Sequence, residues 1–169
     1  MRTFLSFTIL LLFISSAFGQ NMTNSKMEEI ITSKADSING QSGNWQFIYE
    51  QVPMFCITNE AHNRMRIISP IASVKDLSDN LLRDSLIANF HTALDVKYAI
   101  SQDVLWSVFI HPLQELSTAQ VEDAISQVRL AALTFGSTFT STELLFGGGN
   151  ATRPVKNTDT TKIGKTHRF

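Results

Sequence analysis

Hydrophobic and polar positions divide the chain into an apolar leader, a patterned middle and a polar end. Phe4 to Phe18 is almost unbroken apolar sequence, preceded by the single cation Arg2 and closed by the small residues Ala17 and Gly19. That order is the pattern of a secretory signal, which predicts cleavage after Gly19 and a mature protein starting near Gln20. The run is shorter than the roughly 20 apolar residues that cross a bilayer, and no later segment approaches that length, so no transmembrane span is expected. From Asn24 to Ile38, Met27, Ile30, Ile31, Lys34 and Ile38 recur near helical spacing and predict a first helix, stopped by Asn39-Gly40-Gln41-Ser42-Gly43. Trp45, Phe47 and Tyr49 then alternate with Gln46, Ile48 and Glu50 at the strand period of two. Pro53 interrupts, and Met54–Thr58 and Met65–Ser69 read as a hairpin around Asn59 to Asn63.

Pro70 is expected to end that sheet run. Ser73 to Asp76 has the spacing of a capping box, predicting a second helix to about Leu94 with Leu77, Leu81, Leu82, Leu86, Phe90 and Leu94 as its apolar stripe. Val96–Ser101 and Val104–Ile110 flank Gln102-Asp103 as a second hairpin, closed by Pro112. Ser117 to Gln120 is another capping box, followed at helical spacing by Val121, Ile125, Val128, Ala132 and Phe135. From Gly147 onward only Val155, Ile163 and Phe169 are large and apolar, too few to offset the entropy of ordering, so residues 147–169 are expected to be a disordered tail. Residues 20–146 form one domain, with element order α-βββ-α-ββ-α. That order predicts an α+β fold, a two-layer sandwich of a five-stranded antiparallel sheet with helices mainly on one face.

Charge sharpens the division. Residues 20–146 hold eight Lys/Arg against fourteen Asp/Glu, whereas 147–169 hold five against Asp159 alone. An acidic body lacks the clustered cations that phosphate binding needs, so nucleic acid is not an expected partner. Cys56 is the single cysteine, which leaves stability to the apolar core.

The order of elements also resembles the type III secretion chaperone-like fold, which includes the YbjN-type proteins. The resemblance is carried by Arg64 to Pro70 as a strand leaving toward a helix, and by Leu81-Leu82 to Ala88-Asn89-Phe90 as a helix with a late Asn. It continues with Val96 to Ile100 leading into Val104-Leu105-Trp106, and with Pro112-Leu113 and Leu116 before the last helix. It covers most of residues 45–135 and implies a non-catalytic, often dimeric, protein-binding domain. The leader, by contrast, implies an exported protein, periplasmic or secreted.

Candidate chemistry is sparse. Cys56 lies inside the apolar run Met54 to Ile57 with no cation near it in sequence to lower its pKa, so a buried structural thiol is expected. His62, His91 and His111 lack ligand spacing, no Gly-x-Ser-x-Gly elbow occurs, and Gly147 to Gly149 neither follow a strand nor open a helix. No metal or cofactor is called for. Strand alternation assigns Trp45, Phe47, Tyr49, Met65, Ile67, Val96, Tyr98, Ile100, Trp106, Val108 and Ile110 to the core face. The opposite face then receives Ile48, Phe55, Ile57, Arg66, Ile68, Lys97, Leu105, Phe109 and His111. Apolar side chains rimmed by charge are what a peptide-binding or homodimer surface presents. The expected function is an exported, non-enzymatic protein-binding or chaperone-like domain acting through that face. The alternatives are a small exported hydrolase or isomerase with an unrecognised pocket, or an envelope adaptor using its basic tail.

Overall fold

The computed structural model describes residues 21–142; the leader and the basic tail lie outside them. Helix α1 (Asn24–Lys34) opens on Thr23, whose Oγ1 accepts from the Lys26 N–H, and buries Met27, Ile30 and Ile31. It does not reach Ile38. Ala35 is already extended, Asp36 N–H donates to Ile48 O, and strand β1 (Ser37–Gln41) pairs with β2 (Asn44–Tyr49). Ile38 thus stands opposite Phe47 on a strand. Gly40, read from sequence as part of a helix stop, has φ +124° inside β1, and a Cβ there would sit 2.2 Å from Asn44 O. The sheet therefore has six strands, one more than the sequence pattern predicts.

The remaining strands are β3 (Val52–Asn59), β4 (Arg64–Ser73), β5 (Lys97–Ser101) and β6 (Val104–His111). They form one antiparallel sheet in the order β1-β2-β3-β4-β6-β5. Two-residue turns join β2 to β3 at Glu50-Gln51 and β5 to β6 at Gln102-Asp103, all four residues at positive φ, the conformation that matches the twist of a hairpin. Pro53 lies within β3 and Pro70 within β4. The β3–β4 ladder starts only at Phe55↔Ile68; continued, that register would oppose two prolines with no N–H to give, and Ser69 Oγ donates to Pro53 O instead. Pro70 does not end β4, because a bulge between Pro70 and Ala72 shifts the register and lets pairing with β6 run on to Ser73.

Ser73 does not open the second helix. It precedes a single 3-10 turn (Val74–Asp76) without a side-chain cap, and α2 (Asp79–His91) starts behind Ser78, whose Oγ accepts from the Leu81 N–H. Ser85 and Ala88 are the buried residues of α2, and the expected apolar stripe holds only in its first part: Leu77, Leu81 and Leu82 are half-buried against the core, whereas Leu86 is 67% and Phe90 84% exposed. Helix α3 (Thr118–Thr134) keeps the expected capping box at Ser117 and Gln120 and buries Val121, Ala124, Ile125, Val128 and Ala131. Ser107 Oγ donates to Val128 O and Tyr98 OH to Ala131 O, both at 2.9 Å, tying β6 and β5 to α3. The core lies between the inner sheet face and the layer of α1 and α3, with Trp45, Phe47, Met54 and Ile67 among its fully buried members. After α3 the chain turns at Gly136, Phe139 packs on Tyr98 and Phe135, and Ser141 N–H donates to Thr92 O. Among the described residues, no helix is long and apolar enough to cross a membrane.

Candidate protein-binding face

Register decides which side chains share the outer face of the sheet. Cys56 pairs with Trp45 and Ile67, all three buried, so the residues between them on each strand point away from the helices. The strand neighbours then form rows across the sheet. One row runs Ile57, Arg66, Ile110; the next runs Gln46, Phe55, Ile68, Val108, Lys97. A third contains Ile48 and Pro53, and farther along Pro70, Trp106 and Ala99. Phe55 meets Trp106 edge-on with ring centroids 6.1 Å apart, linking the second and third rows. Ile110 is 62% exposed, Ile48 and Ile57 are also open, and Phe55, Ile68, Trp106 and Val108 are half-buried.

Six of the nine residues assigned to this face by alternation are here: Ile48, Phe55, Ile57, Arg66, Ile68 and Lys97. Leu105, Phe109 and His111 are not. Phe109 pairs with Ile67 and His111 with Met65, which turns all three toward the helices; Leu105 is fully buried and Phe109 only 7% exposed. Phe109 and His111 stack there nearly parallel, with centroids 6.0 Å apart. Trp106, Val108 and Ile110, assigned to the core by the same alternation, are the ones on the outer face. The reason is the composition of β6, which is apolar on both sides, so a one-residue error in phase exchanges its faces without breaking any pattern. Lys97 also differs from a free surface cation, since its Nζ donates to the Asn89 and Leu94 carbonyls at the end of α2.

The other candidate residues stand apart. Burial pushes the Cys56 thiol up to about 12, the opposite of an activated nucleophile. His62 sits in the β3–β4 turn against Asn59, His91 at the end of α2 beside Phe90, and His111 at the end of β6. A cleft of about 310 Å³ opens at that last end, lined by Asp95, Phe109, Ile110, His111, Leu116, Gln120 and Asp123. No hydroxyl or thiol lines it, and Asp95 and Asp123 both accept from Gln127 Nε2.

No protein-family model and no curated protein matches the chain. Its architecture does match a solved structure, that of the HopA1-SchA chaperone-effector complex, with a TM-score of 0.52 at 12% identity over 66% of this chain and 90% of that one. The chain thus has a chaperone-like fold. The structure of the Yersinia pestis type III secretion chaperone SycH with a stable fragment of YscM2 is also similar, with a TM-score of 0.49 at 15% identity over 68% of this chain and all of that one. The likeness to the chaperone of the HopA1-SchA complex corrects the localisation drawn from the leader: type III secretion chaperones are cytoplasmic and bind their effectors before export, which conflicts with a periplasmic or secreted protein.

Proposed function

We propose that this protein is a chaperone-like, non-enzymatic binding domain that holds a segment of another protein on the outer face of its sheet. The observation that carries this reading is the apolar band across the three strands β3, β4 and β6. Phe55, Ile68 and Val108 run side by side, with Trp106, Ile57 and Ile110 next to them. An antiparallel sheet with one solvated side normally alternates apolar-in with polar-out, and a contiguous apolar outer band marks a surface that is covered in use. The neighbour's presence in a chaperone–effector complex supports the same reading.

Self-association has separate support, on α2. Leu86, Ile87 and Phe90 are large, apolar and exposed on one helix, and this is the homodimer surface proposed here in place of Phe109, which lies in the core.

The binding face is tested by light scattering of a reduced, unfolding client protein. Wild type should suppress aggregation, and Ile110→Asp or Val108→Asp should lose that effect while keeping the native circular dichroism spectrum. Folded variants that suppress aggregation as well as wild type overturn the reading.

A further inference from the structure

The charges of the domain are sorted by layer. Residues 21–142 carry thirteen Asp/Glu against eight Lys/Arg, yet no Asp or Glu lies on any of the six strands. All the carboxylates are on helices, turns and loops. The strand cations are Arg64, Arg66 and Lys97, and the register places all three in the outward phase. The outer face is therefore a cationic surface on an acidic domain.

Arg66 is the central one. It stands between Ile57 on β3 and Ile110 on β6, both exposed, in the row beside Phe55, Ile68 and Val108. Lys97 is already held by two carbonyls, and Arg64 Nη1 donates to Asn63 O at 2.8 Å. The ion pairs among the described residues are Lys34–Glu122 and Arg129–Glu50, and the guanidinium of Arg66 has no hydrogen-bond or ion-pair partner among the described residues. A planar fork of donors framed by two isoleucines fits a carboxylate with two parallel bonds, and apolar neighbours that exclude water on binding strengthen such a pair.

We infer that the partner segment held on this face is apolar and carries an Asp or Glu that Arg66 reads. This rests on the sheet-face reading proposed above and names the chemistry of its ligand. A second copy of the chain fits less well. A two-fold axis running along β4 would bring Arg66 against Arg66, a like-charge contact within a self-complementary interface.

The test uses a set of short peptides, blocked at both ends, of alternating leucine and serine with Glu, Gln or Lys at the centre. Binding to the full chain is followed by fluorescence of Trp106, which lies on the face, whereas Trp45 is buried on the other side. The Glu peptide should bind about tenfold tighter than the Gln peptide, equivalent to about 1.4 kcal/mol, and the Lys peptide should be the weakest. Arg66→Glu should invert that order, and added salt should narrow it. Equal affinity for all three peptides, with binding still lost in Ile110→Asp, overturns the charge inference and leaves the face intact. Absence of binding by every peptide overturns both. So does a wild-type dimer in solution that Ile110→Asp dissociates, since the occupant would then be a second copy.

Discussion

Phe109 and Ile110 are adjacent on β6 and differ in one respect, the side of the sheet each faces, so truncating each in turn measures the register directly. Phe109 pairs with Ile67, stacks on His111 and is 7% exposed; Ile110 pairs with Arg66 and is 62% exposed. Phe109→Ala removes a buried ring and leaves a cavity under α3, a change that costs about 3–5 kcal/mol. Ile110→Ala removes a side chain that is less than half buried. Full burial of an isoleucine contributes about 1.5–3 kcal/mol, so this loss should stay near or below 1 kcal/mol. For a domain of this size 1 kcal/mol corresponds to about 4 °C in Tm, giving a fall of roughly 12–20 °C for Phe109→Ala and at most a few degrees for Ile110→Ala. Urea unfolding with a common m-value separates the two without relying on heat. Because a loss of 3–5 kcal/mol approaches the whole stability of an ordinary domain, Phe109→Leu, at about 1 kcal/mol, keeps a folded reference in the series. A large loss at Ile110 with a small one at Phe109 would mean that β6 is paired one residue out of this register, and would remove Ile110 and Val108 from the binding face.

Cys56→Ser should lower stability by about 1–3 kcal/mol without changing client binding, because a hydroxyl replaces a thiol in an apolar site. The raised pKa of that thiol has a signed consequence: its contribution is complete below its ordinary value of 9.0 and is lost as pH rises toward about 12, because the unfolded chain ionises first; buried Tyr98 adds a slope of the same sign in both proteins, so chemical unfolding across that range should show a steeper fall in wild type than in Cys56→Ala. Phe90→Glu, at a position 84% exposed, should leave Tm unchanged while shifting sedimentation from dimer to monomer; a wild type that is monomeric at all accessible concentrations refutes self-association through α2.

Much of the fold is legible in local pattern. Ser117 and Gln120 announce α3 and form the capping box; Trp45, Phe47 and Tyr49 announce β2; Gln102-Asp103 announces the β5–β6 turn. Where local pattern misleads, the cause is shared: a punctuation residue acts through a partner outside its own element. Gly40 stops no helix; it allows the edge strand β1 to approach Asn44. Pro70 stops no strand; it sits at a bulge where the missing N–H is harmless. Ser73 has the spacing of a cap, but Val74 N–H is held by Asp103 O across the sheet, and the helix waits for Ser78. In each case a long-range partner decides what the local signal means, and that partner is invisible in a short window of sequence.

The face proposed for binding is only partly legible, for a more instructive reason. On β2 the alternation has a clear phase, because Trp45 and Phe47 are buried and Gln46 between them is exposed. β6 offers no such marker, as Ser107 is the one polar position between Val104 and Ile110, and Ser107 is buried with its hydroxyl on Val128 O. A buried serine with a backbone partner on α3 is the residue that misdirects the phase. Yet the loss of alternation is itself informative. A strand that faces water on one side has no reason to place tryptophan, valine and isoleucine there, whereas a strand with a core on one side and a partner on the other needs apolar residues on both. The ambiguity of β6 and the function proposed for its outer face thus have the same physical origin.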